Sequence, residues 1–251
     1  MASIRERVPS AKLEFVRLDL ASLSSVAEAA AQLAAFGPID GLVENAGLTV
    51  PSKHRRITAD GLELTVGANA LGHFALAAQL WPSLAPTGRI VALGSMATRM
   101  VRFDPGDLLS GRRYRPFRAY AFSKHAVEVV AIELDRRIRA AGGRRLSLLA
   151  HPGYSAEGLS ERRPGINDVS RSTRLRDAAL TVVAQGKHRG SWPSVRAALD
   201  PDAASGQYYG PSRTLNGPPV VMARTASRAS SEFGAQLWSL AEQRTGVVFA
   251  V

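Results

Sequence analysis

The sequence predicts an α/β fold built on a doubly wound parallel sheet. Short apolar runs alternate with longer amphipathic segments along most of the 251 residues, which is the pattern of repeated βαβ units. The apolar runs are unbroken rather than alternating, as in RIVAL at 89–93. Such runs indicate strands that are covered on both faces, and hence a parallel sheet between two layers of helices.

Local signals place each element in turn. The expected strands are 13–18, 40–43, 89–93 and 145–150. The expected helices are 23–36, 58–84, 120–140, 172–185 and 232–244. Gly37-Pro38 and Gly142-Gly143 stop two of these helices, and Pro82 interrupts the longest one. Residues 190–219 are rich in glycine and proline, and we predict turns there.

Composition excludes several classes of protein. The chain is 45% hydrophobic and 21% charged, which is typical of a globular domain and not of a disordered chain, a collagen or a coiled coil. It contains no cysteine, so a disulfide scaffold, a thiolate zinc site and a thiol nucleophile are excluded. It shows no run long enough to span a membrane and no secretory signal, and we predict a cytoplasmic protein.

The charge is strongly positive. The chain carries 32 basic and 21 acidic residues, a formal net charge of +11. Only four of the basic residues are lysines, and the arginines are spread along the chain without interleaved aromatic residues. One interpretation is an arginine-rich solvated surface, and the other is an anionic partner such as a phosphorylated cofactor or a nucleic acid. Because no nucleic-acid-binding motif accompanies the charge, we predict no nucleic-acid partner.

A tyrosine and a lysine four residues apart carry the clearest chemical signal. Tyr120 and Lys124 fall inside a predicted helix, so both side chains lie on one face. A lysine ammonium close to a phenol favours the phenolate, which gives a group that donates and accepts protons near neutral pH. Many tyrosine–lysine pairs at this spacing are merely structural, so the surroundings decide what this pair means.

Polar and glycine residues follow three of the predicted strands where those strands end. The three segments are Asn45-Ala46-Gly47, Gly94-Ser95 and His151-Pro152-Gly153. In an open α/β sheet, ligands bind outside the carboxyl ends of the strands. We therefore expect these segments and the helix that carries Tyr120 to converge on one rim. Asn69, in the long predicted helix, either belongs to this site or caps a kink.

Taken in order, these motifs resemble the short-chain dehydrogenase/reductase family, in its retinol-dehydrogenase-like bacterial branch. The matching pieces are Asp19-Leu20, Asn45-Ala46-Gly47, Asn69 with Gly72-His73-Phe74, Ser95, Tyr120-x-x-Ser123-Lys124 and His151-Pro152-Gly153. Each motif alone is weak, but six in family order over nearly the whole chain are specific. The resemblance implies a Rossmann-like sheet and hydride transfer between a nicotinamide cofactor and an alcohol or carbonyl substrate.

The resemblance implies catalytic roles for four residues. Tyr120 would be the acid/base that exchanges a proton with the substrate oxygen. Lys124 would favour the phenolate of Tyr120 and hydrogen-bond the nicotinamide ribose. Ser95 would donate a hydrogen bond to the substrate oxygen, and Asn69 would hold the water that links Lys124 to solvent.

It also implies a cofactor site. Asp19 would contact the adenine ring, Asn45-Ala46-Gly47 would pack beside the adenosine ribose, and Pro152 and Gly153 would lie near the nicotinamide. The full expected cofactor-binding set is Asp19, Asn45, Ala46, Gly47, Tyr120, Lys124, Pro152 and Gly153. The cofactor would be NADP or NAD, with NADP preferred, and no metal is expected. The partner would be a small-molecule alcohol or carbonyl, and the protein a monomer or homo-oligomer.

The chain departs from the family at its start. No Gly-x-x-x-Gly-x-Gly turn for the cofactor pyrophosphate occurs in the sequence. Asp19 resembles the residue after the family's third strand, so we expect the first two strands to be missing. Three explanations stand: a start codon chosen too late, a truncated inactive relative that binds a ligand or partner, or a cofactor-poor variant with another task.

A second departure is Glu44, where the family usually has asparagine. We expect its carboxylate to be solvated or paired with an arginine, and to lie apart from the proposed chemistry. The expected organisation is one N-terminally incomplete dinucleotide-binding domain over 1–251. It would carry a substrate flap at about 154–188 and a C-terminal extension at about 206–251.

Overall fold

The computed structural model describes residues 1–50, 52–109, 111–112, 114–160, 170–223 and 231–251. This part of the chain forms a five-stranded sheet in the order β1-β2-β3-β4-β5. The strands are β1 Ile39–Glu44, β2 Leu84–Leu93, β3 Leu146–Ala150, β4 Tyr208–Pro211 and β5 Pro219–Met222. Strands β1 to β4 are parallel, and β5 pairs antiparallel with β4. The predicted α/β fold with a mainly parallel sheet is confirmed.

Helices connect the strands and cover both faces of the sheet. The α-helices are α1 Ala2–Arg7, α2 Leu23–Ala34, α3 Leu64–Val66, α4 Gly72–Leu80, α5 Ala97–Met100, α6 Pro116–Ala140, α7 Arg171–Ala178, α8 Lys187–Gly190, α9 Trp192–Leu199 and α10 Ser231–Thr245. A π-helical turn, Gly67–Leu71, joins α3 to α4. Short 3₁₀ turns lie at Trp81–Ser83, Pro105–Asp107 and Glu157–Leu159.

Two apolar cores lie on opposite faces of the sheet. Ile90 of β2 packs into the larger core with Phe74 of α4 and Trp238 of α10. Its neighbour Val91 packs into the other core with Ala197 of α9. Since successive residues of a strand point to opposite faces, both faces of β2 are covered. This double burial explains why the second half of β2, residues 90–93, reads as an unbroken apolar run.

The segment 13–18 is not a strand, so that prediction was wrong. Residues 11–19 carry no sheet pairing, and the side chain of Phe15 is 74% exposed. Strand β1 pairs with β2 along one edge, and no other described residues pair with its second edge. An extended segment without a neighbouring strand leaves its N–H and C=O groups unpaired, which removes the main reason for strand formation.

The long helix predicted from Thr58 begins instead at Leu64. Gly61 adopts the left-handed conformation at φ +77°, and the N–H of Thr58 donates to Leu62 O at 2.8 Å. The buried carboxylate of Glu63 then accepts hydrogen bonds from two backbone N–H groups of the first helical turn. A turn followed by a carboxylate cap therefore replaces the first turns of the predicted helix.

Two other predictions were wrong in the second half of the chain. The helix expected at 172–185 ends early, as α7. The turns expected over 190–219 contain α9 and β4. Helix α9 opens with Trp192-Pro193, where proline is tolerated because its missing N–H has no helical partner in the first turn. Residues 161–169 of the expected flap and 224–230 of the expected extension lie outside the described residues.

Neither a membrane-spanning helix nor a metal-binding cluster occurs among the described residues. Among the helices described above, none combines the length and the apolar character that crossing a bilayer requires. Across the described ranges, no group of three or more histidine, aspartate or glutamate side chains is placed to hold a metal ion.

Candidate active site

A cavity of about 470 Å³ opens at the carboxyl ends of β1, β2 and β3. Its lining residues are Asn45, Gly47, Leu48, Thr49, Leu93, Gly94, Tyr120, Lys124, Pro152, Ser155, Lys187, Gly190 and Ser191. The cavity lies at the rim where the strand-end segments were expected to converge.

Tyr120 and Ser95 bring two hydroxyl groups together beside this cavity. Tyr120 lies near the start of α6, and Ser95 follows β2. The Tyr120 hydroxyl donates to Ser95 Oγ at 3.3 Å. Thr98 holds the loop, because its hydroxyl donates to Ser95 O at 2.8 Å. Two adjacent hydroxyls can hydrogen-bond a single substrate oxygen, as proton transfer to that oxygen requires.

Lys124 lies one helical turn after Tyr120 and is buried. Its Nζ donates to Leu93 O, at the end of β2, at 2.7 Å. Burial lowers the pKa of Lys124 to about 8, and the carboxyl groups of Glu44 and Glu128 oppose this shift. The lysine is therefore mainly protonated at pH 7, but much less firmly than an exposed lysine.

Asn69 lies behind the cavity, in the π-helical turn between α3 and α4. Its Nδ2 donates to Leu48 O at 2.9 Å and to Ser123 Oγ at 3.1 Å, and its Oδ1 accepts from Leu48 N at 2.8 Å. Turns of π-helix are rare and occur frequently at functional sites. Asn69 thus ties the loop after β1 to α6, and its predicted role in holding a water stays a prediction.

The three residues after β1 are held beside Lys124. Asn45 and Gly47 line the cavity, while Ala46 O accepts a hydrogen bond from His73 Nε2 at 2.8 Å. Burial is the main cause that lowers the pKa of His73 to about 4; the hydrogen bond to Ala46 O opposes this shift, and the charge of Lys124 adds to it. His73 is therefore neutral near pH 7 and contributes no charge to the site.

Glu44 does not lie apart from the proposed chemistry, so that expectation was wrong. It is the last residue of β1 and is partly buried. Burial raises its pKa to about 7, and the charge of Lys124 opposes the rise. Its charge partner is a lysine of the site and not an arginine.

Glu128 belongs to the site although the sequence did not single it out. It follows Lys124 by four residues on the same face of α6. Its Oε1 accepts hydrogen bonds from Thr98 Oγ1 and from the Tyr208 hydroxyl, both at 3.2 Å. Its carboxylate also accepts from the backbone N–H of Ser95. The spacing Tyr120-Lys124-Glu128 on one helix face was the available signal.

The remaining predicted residues lie around the cavity or farther away. Pro152 lines it, whereas Gly153 and Asp19 are not among its lining residues. Asp19 is exposed, and its Oδ1 accepts from Ala21 N at 2.9 Å. Its contact with an adenine ring stays a prediction. Sequence reasoning also left out Lys187, which lines the cavity and pairs with Glu157 at 2.8 Å.

Gly153 is required by its conformation and by the approach of a second loop. It has φ +69°, and a Cβ atom there would lie 2.3 Å from Leu215 O. We expect Gly153→Ala to lower the free energy of unfolding by about 1–2 kcal/mol for the left-handed conformation and about 1–3 kcal/mol more for the overlap. Urea unfolding would measure this loss.

Gly142→Ala provides the matched control for that loss. Gly142 has φ +66°, and nothing lies within 4 Å of an added Cβ. This variant should therefore lose only the conformational part. Equal losses in the two variants would contradict a close approach at Gly153.

Comparison with known proteins identifies the family. A family model described as short chain dehydrogenase matches residues 1–142. Mouse polyprenol dehydrogenase is 39% identical over 160 residues, covering 61% of this chain and 47% of the mouse protein. Human retinol dehydrogenase 13 is 34% identical over 199 residues, covering 76% of this chain and 58% of the human protein. The chain thus spans about half the length of these curated relatives.

Solved structures agree with this fold. A crystal structure of a protein from Mycobacterium paratuberculosis superposes with a TM-score of 0.77 at 31% identity, covering 100% of this chain and 82% of that one. A short chain dehydrogenase from Burkholderia cenocepacia in complex with NADP superposes with a TM-score of 0.55 at 19% identity, covering 80% and 74%. Since the family model matches more than half of the residues, this chain belongs to the short-chain dehydrogenase family.

Proposed function

We propose that this chain acts as an oxidoreductase that transfers a hydride between a nicotinamide cofactor and an alcohol or carbonyl substrate. The observation that carries the proposal is the 3.3 Å contact between the Tyr120 hydroxyl and Ser95 Oγ, beside a cavity that Lys124 also lines. The names of the curated relatives, which are dehydrogenases of two alcohols, support the same class of reaction.

The side chains would handle the substrate oxygen. In the reducing direction, Ser95 and Tyr120 hydrogen-bond the carbonyl oxygen, and Tyr120 gives its phenol proton to that oxygen as the carbon is reduced. The O–H bond of Tyr120 breaks and the O–H bond of the product alcohol forms. The Lys124 ammonium stabilises the phenolate that remains. Oxidation of an alcohol would follow the same steps in reverse.

The residues at the cavity fit the nicotinamide-ribose end of a dinucleotide. Lys124 and Tyr120 present an ammonium and a phenol as donors to ribose hydroxyls, and Asn45 and Gly47 form the adjoining wall. The bound cofactor supplies the hydride, and the protein supplies position and proton chemistry. We propose NADP in preference to NAD, and a structure of the same fold contains NADP. The sequence contains no glycine-rich turn for the pyrophosphate.

The substrate proposed here is an apolar alcohol or the matching carbonyl compound. Polyprenol and retinol, in the names of the relatives, are both isoprenoid alcohols. Leu48, Leu93 and Pro152 provide apolar walls close to Tyr120. An isoprenoid alcohol therefore belongs in the first panel of substrates, beside short alcohols and aldehydes.

Titration of NADPH fluorescence with the full chain tests the cofactor half of this proposal. We expect saturable binding of NADPH by the wild-type chain. In Lys124→Met the affinity for NADPH should be at least about ten-fold weaker than in the wild type, since a hydrogen bond from a charged group contributes about 1.5–3 kcal/mol. Lys12→Met is the matched control, because Lys12 is exposed and absent from the cavity lining. If the wild-type chain binds neither NADPH nor NADH, the proposed function is wrong for this chain.

A further inference from the structure

Lys124 lies between two carboxyl groups that come from different elements. Glu44 ends β1, and Glu128 lies one turn farther along α6. Both interact electrostatically with the Lys124 ammonium, and Glu44 does so more strongly. Glu128 has a clear structural task, because it holds the loop of Ser95. Among the described hydrogen bonds, none is accepted by the side chain of Glu44. Its position near Lys124 is therefore not explained by a structural role like that of Glu128.

Strand register directs Glu44 toward the helix that carries Lys124. Glu44 pairs with Ala92 of β2, and Leu42 pairs with Ile90. Residues two apart on a strand point to the same face. Ile90 and Ala92 belong to the core beneath α4 and α6, and Leu42 packs against that core. The side chain of Glu44 therefore leaves β1 on the face that α6 covers.

The side chain of Lys124 extends from α6 to the carboxyl ends of β1 and β2. Its Nζ donates to the carbonyl of Leu93, the residue after Ala92. A Cβ atom on Gly47, three residues after Glu44, would lie 3.8 Å from that Nζ. The ammonium thus lies at the ends of β1 and β2, where Glu44 also ends its strand.

We propose that Glu44 is a positioning residue that keeps Lys124 protonated to higher pH, and that it acts only when its own carboxyl is ionised. This inference rests on the proposed function for its catalytic meaning, because the Lys124 charge favours the phenolate of Tyr120. The asparagine that the family usually has at this position could not supply such a charge.

Of the other groups around the pair, Glu128 shares this role but interacts with Lys124 less strongly than Glu44 does. From α4, His73 faces Lys124 and is neutral above about pH 5, because burial lowers its pKa to about 4. From α6, Tyr120 and Glu128 face Lys124, and burial raises the pKa of Glu128. The pKa of Glu44 is about 7 and that of Lys124 about 8. The two groups therefore titrate in the same pH range, and the charge of each favours the charged form of the other.

Nuclear magnetic resonance of the lysines can measure the effect directly. The full chain contains four lysines, Lys12, Lys53, Lys124 and Lys187. In the ¹³C-labelled protein, the Lys124 Hε/Cε signal is identified by its loss in Lys124→Arg and followed between about pH 5 and pH 10. We expect Glu44→Gln and Glu44→Asn to lower the pKa of Lys124 by about one unit or more, since an opposite charge at close range shifts a pKa by that amount.

Three variants complete the experiment. Glu28→Gln, at an exposed position on α2, should leave the Lys124 signal unchanged. Glu128→Gln should lower the pKa of Lys124 less than Glu44→Gln does. Lys124→Met should raise the pKa of Glu44 above its value of about 7. The side-chain carboxyl carbon of Glu44 reports this pKa. This measurement tests the same pair of groups if a Glu44 variant does not fold.

An unchanged Lys124 titration in folded Glu44 variants, or an unchanged Glu44 titration in Lys124→Met, overturns the inference. These titrations need no cofactor or substrate. Their outcome is therefore distinct from that of the NADPH experiment, which tests the proposed function.

Discussion

We expect Tyr120→Phe to reduce turnover of an alcohol or carbonyl substrate by about 10²–10⁴-fold, the range that a positioned general acid contributes. The substitution removes one oxygen atom, so the ring still fills its place on α6. Ser95 loses the hydroxyl that donates to its Oγ, and the substrate oxygen loses its proton donor. NADPH affinity should fall by no more than about ten-fold, because the ribose loses one neutral donor, which contributes about 0.5–1.5 kcal/mol, while Lys124 remains. Steady-state kinetics and NADPH titration of the same preparations would measure both effects.

Tyr209→Phe is the matched control for this prediction. Tyr209 is fully buried in the core on the other face of the sheet, and its hydroxyl donates to Gln207 Oε1 at 2.7 Å. Removing that hydroxyl should cost about 0.5–1.5 kcal/mol of stability and leave turnover per folded molecule unchanged. If Tyr120→Phe keeps more than about a tenth of the wild-type turnover, another group is the proton donor.

Much of the sheet could be predicted because the composition of a strand indicates whether one or both of its faces are buried. The run at 89–93 is apolar at successive positions, and β2 is buried on both faces. The run at 13–18 also predicted a strand, although Glu14 and Arg17 interrupt its apolar residues, and it forms none. Composition reports how a strand would be covered, whereas pairing depends on a neighbour elsewhere in the chain. Sequence pattern alone cannot supply that second condition.

Helix boundaries failed for a related reason. Thr58 has the features of an N-cap, yet Glu63 caps the helix, because Gly61 turns the chain between them. Pro193 indicates a turn in the sequence but occupies the first turn of α9. Caps and turns compete for the same residue types, and tertiary contacts decide which one forms.

The location of the site could be predicted from the sequence, but only some of the interactions within it could. The rule that ligands bind at the carboxyl ends of strands brings Asn45, Gly47 and Pro152 to one cavity with Tyr120 and Lys124. Their catalytic and cofactor-binding roles stay predictions. The coupling of Glu44 and Glu128 to Lys124 could not be predicted, because it depends on burial and on the direction of side chains from two elements.

A second large effect is expected in the C-terminal helix α10, none of whose residues lines the cavity. Trp238 of α10 is 1% exposed, and its ring lies 5.1 Å from that of Phe74 and 4.8 Å from that of Phe249. The guanidinium of Arg137, on α6, lies 4.4 Å from the centre of the Trp238 ring. Helix α10, in the expected C-terminal extension, therefore packs into the larger core.

We expect Trp238→Ala to lower the free energy of unfolding by about 3–5 kcal/mol, the usual cost of truncating a buried aromatic side chain. A domain is typically stable by about 5–15 kcal/mol, so this loss is a large share of the total. Urea unfolding followed by circular dichroism measures it. Trp192→Ala is the control, because Trp192 is 42% exposed on α9, and its loss should stay below about 1 kcal/mol. Similar losses of unfolding free energy in the two variants would contradict the prediction, and would mean that α10 adds little to the stability of the core.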